Sequence, residues 1–255
     1  MMLLVGSDTV SFIIMGDNNN CVALYSYHLP ADTNAETLSS HVKTITTGDV
    51  LENDFEKVTI IYSLPAAIIA PAQSFSDESK QEMIDLVFGD QSDTVIKTDE
   101  EKNGRQVIYA LPKSIESVTS YLFSTHVSKH LYSLLPSVEG LNANVLYCIF
   151  CNTSLVVMLE KNNQLQVIQT YNFRLPEDVA YYLLHLCESF EVTPDAVTVY
   201  LTGMIGENSN LYNEICKYFL NIHFGALPNN ISYPESINEY PTHYFSHLFA
   251  LAQCV

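Results

Sequence analysis

One order of hydrophobic patterns occurs twice along this chain, and that repetition constrains its fold more than any single motif. In the second half, residues 144–150 (NVLYCIF) form an apolar run, 154–160 (SLVVMLE) form another, and 165–173 alternate apolar with polar residues. The polar turns Cys151-Asn152-Thr153 and Lys161-Asn162-Asn163-Gln164 separate them, so the three runs read as a meander of strands. A helix follows. Pro176 suits its first turn, where a missing N–H costs nothing, and Glu177 and Asp178 suit the positive end of the helix dipole. Val179, Leu183, Leu186, Cys187 and Phe190 recur as one apolar stripe. Next come a buried strand at 196–201, a Gly-bearing turn at 202–207, and a helix capped near Asn208 or Ser209. That helix turns Leu211, Ile215, Cys216 and Phe219 to the core, and a short strand at 221–226 closes the pattern. The order is βββαβαβ.

The first half reads alike. Strands are expected at 1–6, 11–15 and 21–29, a helix at 35–45, a strand at 57–63, a helix at 79–88, a strand at 105–111 and a helix at 115–123. Residues 90–104 are polar and acidic and read as an exposed loop, and 126–135 read as a bridge between the halves. A meander followed by alternating helices and strands builds a mixed sheet with helices on both faces. Two copies predict an α/β protein of duplicated ribonuclease H-like lobes, 1–125 and 126–255.

Composition narrows the function. The 255 residues are 47% hydrophobic, enough for a core in each lobe. Eleven basic against 29 acidic residues give a formal net charge of -18, with no Lys/Arg cluster. Such a surface repels phosphate backbones, so we expect neither nucleic-acid nor anionic-membrane binding, and a basic protein partner suits it better. No apolar run is long enough to span a bilayer, and the apolar start lacks the basic residues and cleavage site of a signal peptide. A cytoplasmic location is expected. Of six cysteines, at 21, 148, 151, 187, 216 and 254, only Cys148 and Cys151 are close in sequence. They lie in a strand pattern, where residues three apart point to opposite faces, so reduced thiols are expected rather than a metal motif.

Residues 171–184 (YNFRLPEDVAYYLL), Val199-Tyr200-Leu201-Thr202-Gly203 and the ending from His243-Tyr244-Phe245 to Cys254 resemble a bacterial family of uncharacterised proteins. The family carries a domain of unknown function with the actin-like ATPase version of this fold. The resemblance is tightest over 125–255; earlier it rests on the opening hairpin and Ser63-Leu64-Pro65. In architecture the chain also resembles cytoplasmic pilus-assembly ATPase-like proteins and, more distantly, chaperone and kinase lobes, and fold alone does not give function.

The resemblance implies a nucleotide cleft for ATP and Mg²⁺ between the lobes, walled by a hairpin turn from each. In the first turn, Gly6-Ser7-Asp8-Thr9, Asp8 is present to reach Mg²⁺ through water, but Thr9 stands where the family has glycine. Its Cβ hinders the approach of phosphate. In the second turn Asn152 replaces the carboxylate and Thr153 follows without glycine. The adenosine segment keeps Gly203, with Met204 at the second glycine position. Gly206, Glu207 and Asn208 follow at the helix start, where an anion would sit. Two readings follow. The first is a non-catalytic actin-like scaffold that binds a protein partner; in it Asp8 and Asn152 are ordinary turn residues and Gly203 punctuates strand and helix. The alternative is nucleotide binding or weak Mg-dependent ATP hydrolysis.

Other chemistries have less support. His126 and His130, and His243 and His247, are spaced for one helical face, but no third ligand accompanies either pair, and core or interface histidines are expected. There is no P-loop, G-x-S-x-G or G-x-G-x-x-G. Asp99-Glu100-Glu101 reads as solvated surface, and a two-metal nuclease would need more strand-end carboxylates than Asp8 and Glu160 supply. The 16 tyrosines concentrate in the second half, where 233–244, with Pro234 and Pro241, reads as a partner surface or a packed strap.

Overall fold

A computed structural model describes residues 1–30, 32–47, 55–100, 104–135 and 144–254. The chain forms two compact units, Met1–Ile14 with Leu24–Leu135, and Met15–Ala23 with Pro136–Val255.

In the first unit, β1 (Met2–Gly6), β2 (Thr9–Met15) and β3 (Cys21–His28) form the expected meander, whose tip belongs to the second unit. Helix α1 (Ala35–Thr46) starts at Asn34, whose side chain accepts the Thr37 N–H while Thr37 Oγ1 accepts the Asn34 N–H, satisfying two otherwise unpaired donors. Strand β4 (Thr59–Ser63) lies parallel to β1, and both are wholly buried, as central strands are.

Three departures from the sequence reading follow. Ala67–Pro71 is a strand, β5, that the sequence reading did not foresee. After α2 (Asp77–Phe88), Thr94–Glu100 is a strand, β6, where a loop was expected. Its Lys97, Asp99 and Glu100 disguise an edge strand, where charge is common. Strand β7 (Arg105–Pro112) pairs antiparallel with both in the order β5-β7-β6, and α2 covers this small sheet through Ile84, Ile108, Ala70 and Ala110. After α3 (Lys113–Leu122), which packs with α1, the main sheet is completed by β8 (Val127–His130), parallel to β4, rather than by β7. Its order is β3-β2-β1-β4-β8.

The second unit contains β9 (Asn144–Phe150), β10 (Ser154–Lys161), β11 (Gln164–Asn172), α4 (Pro176–Ser189), β12 (Val197–Gly203), α5 (Asn210–Ile215), β13 (Asn221–Phe224) and α6 (Ser246–Gln253). Its sheet order, β11-β10-β9-β12-β13, matches the first sheet strand for strand. Pairing is antiparallel within the meander and parallel from β9 to β12 and β13. On one face Leu146, Cys148, Leu155, Val157, Val199 and Leu201 pack with Val179, Leu183 and Ile215. Asp178 accepts the Arg174 and Leu175 N–H groups at the start of α4, and these bonds hold its carboxyl below the usual range. No helix among the described residues is long and apolar enough to cross a membrane.

Candidate functional site

In an open α/β sheet, ligands bind outside the carboxyl ends of the parallel strands. In the second unit β9 and β12 end side by side, with Phe150 opposite Gly203. The turn after β9, carrying Asn152 and Thr153, and the Gly203 turn after β12 therefore leave the same end of the sheet. Of the residues singled out from sequence, the fold groups Asn152, Thr153 and Gly203 there, and Gly206 and exposed Glu207 continue toward α5.

Several main-chain donors of this region are already committed. The Gly203 N–H bonds the His243 carbonyl (2.9 Å), the Met204 N–H the Phe150 carbonyl (2.8 Å), the Ile205 N–H the Gly203 carbonyl (2.9 Å) and the Ser209 N–H the Gly206 carbonyl (3.0 Å). In the neighbouring turn the Cys151 N–H bonds the Ser154 carbonyl (2.9 Å), and the Thr153 carbonyl accepts the Phe173 N–H (3.0 Å). Gly203 has φ +82°, and a Cβ there would lie 2.1 Å from the Phe150 carbonyl oxygen, so packing against β9 requires the glycine. At Gly206 the nearest atom to an added Cβ is 3.8 Å away, an ordinary contact.

Side chains fill the end of the sheet further. Thr202 Oγ1 donates to the Cys148 carbonyl (3.1 Å), and a Cβ on Gly225 would meet Thr202 Cγ2 at 2.5 Å and Ser246 Oγ at 2.6 Å. His243 is buried, and its Nε2 lies 2.6 Å from the Ile205 carbonyl. A carbonyl only accepts, so Nε2 carries the proton. Sequence reasoning did not associate His243 with Gly203, because nothing local links residues about forty positions apart.

In the first unit, Asp8 and Thr9 are both buried in the β1–β2 turn. Thr9 Oγ1 donates to Asp8 Oδ1 (3.2 Å), and the Asp8 carbonyl accepts the Leu29 N–H (2.9 Å). A Cβ on Gly6 would lie 3.1 Å from the Thr9 carbonyl, so this turn too is closely packed.

The expected solvated patch is corrected at Asp99. It is buried in β6, and its Oδ2 accepts the His130 N–H (2.6 Å) and Ser133 Oγ–H (2.9 Å), with Lys129 Nζ 3.9 Å from Oδ1. Glu100 is exposed at the end of that strand, and Glu101 lies outside the described residues. His126 and His130 do not share a helical face. His126 precedes β8 and donates from Nδ1 to the Phe123 carbonyl (2.7 Å), whereas His130 ends the strand. His130 Nδ1 accepts the Tyr132 N–H (3.2 Å), so Nε2 carries the proton given to the Leu64 carbonyl (3.0 Å). Burial, opposed by the Leu64 bond, pulls His130 down to about 4. Burial does the same to His247, whose Nδ1 has no hydrogen-bond partner among the described residues.

The comparisons with known proteins agree with this architecture. A family model described as "Protein of unknown function (DUF3822)" matches residues 1–222. No curated protein matches the chain in sequence. Among solved structures, a Bacteroides thetaiotaomicron protein described as having an actin-like ATPase fold and unknown function aligns with a TM-score of 0.79 at 18% identity, covering 100% of this chain and 96% of that one. A chain of a PilM–PilN type IV pilus biogenesis complex aligns with a TM-score of 0.61 at 13% identity, covering 98% and 96%. The fold is therefore the actin-like ATPase fold, as the family resemblance implied, built on the duplicated lobes that the repeated pattern predicts.

Proposed function

This chain belongs to the DUF3822 family, and we propose that it is a non-catalytic scaffold of the actin-like fold that engages a protein partner. One observation supports the reading: the Gly203, Met204, Ile205 and Ser209 amides around the Gly203 turn bond main-chain carbonyls, so these four are not turned to a phosphate. An anion nest needs donors aimed at the ligand. Diverting the Gly203 and Met204 amides would break bonds that hold the end of β12 to the His243 segment and to β9. In the first unit the Thr9 hydroxyl is turned onto Asp8, the carboxylate a Mg²⁺ shell would use. These bonds favour a scaffold over a Mg-nucleotide site. The PilM–PilN complex offers an analogy of assembly, since there a chain of this fold is part of a two-protein complex. A net charge of -18 favours a basic partner. We place the protein in the cytoplasm, in keeping with free cysteines among the described residues.

Thermal unfolding with Mg-ATP, Mg-ADP and AMP tests this reading. A ligand bound only by the folded state, at 100 times its Kd, adds about 2.7 kcal/mol of stability. We expect no shift in Tm at millimolar nucleotide. A clear rise that Asp8→Ala weakens would overturn the scaffold in favour of nucleotide binding.

A further inference from the structure

A single exposed leucine is ordinary, and it becomes informative where other unmet groups surround it. Leu86 of α2 is 88% exposed, more than any other large apolar side chain among the described residues, and its neighbour Val87 is 59% exposed. Helix α2 buries Ile84 against the small sheet, with Met83 and Phe88 packed beside it. Met83, Leu86 and Val87 stand at i, i+3 and i+4, so they form one apolar ridge that leads from the core to water. The last turn, which carries this ridge, is fixed. Asp85 Oδ1 accepts the Gln81 Nε2–H (2.9 Å) and the Gln91 N–H (2.9 Å), and the Gly89 N–H closes the helix on the Asp85 carbonyl (2.9 Å).

The same turn is short of positive charge. The last carbonyls of a helix form its negative end, and a basic side chain commonly answers them. Helix α2 has no basic residue in its last turn. Gln91 Nε2 donates to the Phe88 carbonyl (3.4 Å), but no donor among the described residues reaches the Leu86 and Val87 carbonyls. Glu78 and Glu82 lie on the line of the helix that leads to Leu86, and Asp90 follows the cap. All three are exposed, and none has an ion pair among the described residues. The lysines of this part of the unit stand beside other carboxylates: Lys80 lies 3.7 Å from Asp77, and Lys113 lies 3.6 Å from Asp93.

We propose that the exposed face of α2 docks a basic amphipathic helix of a protein partner. Its apolar side chains lie on Met83, Leu86 and Val87, and an arginine or lysine reaches the open carbonyls between Glu82 and Asp90. The inference rests on the scaffold reading and names the chemistry of its partner. Ridges at three- and four-residue spacing are what one helix offers another, and the acidic rim selects the sign of the partner's charge. A second copy of this chain is the disfavoured occupant, because α2 against α2 would bring Glu78, Glu82 and Asp90 of both copies together.

The test uses the full chain and a fluorescent synthetic helix with leucine on one face and arginine along its borders, read by anisotropy at low salt. Amide shifts of the isotope-labelled chain locate the contact. Control peptides carry glutamate for arginine or serine for leucine, and they leave the protein itself unaltered. We expect shifts centred on residues 83–90 and no binding of the glutamate peptide. Affinity should fall by roughly tenfold or more with the serine peptide, and likewise in Leu86→Ser and Glu82→Lys variants whose melting is unchanged. Absence of binding at millimolar peptide overturns the proposal, as do shifts centred elsewhere on the chain. Equal binding of the serine peptide also overturns it, since charge alone then suffices. So does self-association abolished by Leu86→Ser, which makes a second copy the occupant. None of these outcomes touches the scaffold reading, which stands or falls on nucleotide-dependent melting.

Discussion

Gly203 is pressed against Phe150: a Cβ on the glycine would stand 2.1 Å from the Phe150 carbonyl oxygen, which already accepts the Met204 N–H. The glycine that resembles a nucleotide-contacting residue is needed to join two strands of the protein's own sheet. We expect Gly203→Ala to destabilise the fold by about 3 kcal/mol or more, from a positive φ and a clash with main chain together. Gly206→Ala, at an open position, should stay within about 0.5 kcal/mol. Urea unfolding of the two variants checks this, and equal midpoints would refute the assignment.

Asp99 holds the start of the segment after β8 by accepting the His130 N–H and the Ser133 hydroxyl. Asp99→Ala would leave a buried amide without its acceptor and should cost about 2–4 kcal/mol. Asp99→Asn keeps one carbonyl oxygen and should cost less. Loss of amide-exchange protection at His130 in the alanine variant is the local readout.

His130 and His247 are held neutral by burial, with pKa values near 4 against an ordinary 6.5. Their folded values are depressed, so the unfolded chain binds more protons between those limits. The stability they contribute is complete above about pH 6.5 and falls as pH drops toward 4, by up to about 3 kcal/mol for each. Denaturant midpoints should therefore fall from pH 7 to pH 4.5, while the two imidazole resonances hold steady until pH approaches 4. Titration of either ring near 6.5 in the folded protein would contradict this.

Several elements were legible because their signals are local. Pro176 with Glu177 and Asp178 marked the start of α4, and apolar runs marked β9 and β10, within a residue or two of where they lie. Repetition of the pattern was enough to expect duplicated ribonuclease H-like lobes, since each lobe must bury the same meander and crossover strands, and the family resemblance supplied the actin-like version. The candidate turn residues were found in the right turns, but their bonding was not. Whether the Gly203 amide faces a ligand or the His243 carbonyl depends on a segment about forty residues away.

By itself, the sequence determined the order of strands and helices from β9 to β13, the opening meander of the first unit and the acidic character of the chain, because propensity, periodicity and charge are properties of neighbouring residues. Tertiary structure alone decided that β8 rather than β7 completes the first sheet and that Asp99 is buried against His130 instead of solvated. The reason is physical: which strands pair, and which polar groups are withdrawn from water, is settled by burial and hydrogen bonding summed over the whole sheet, between residues that carry no local mark of one another.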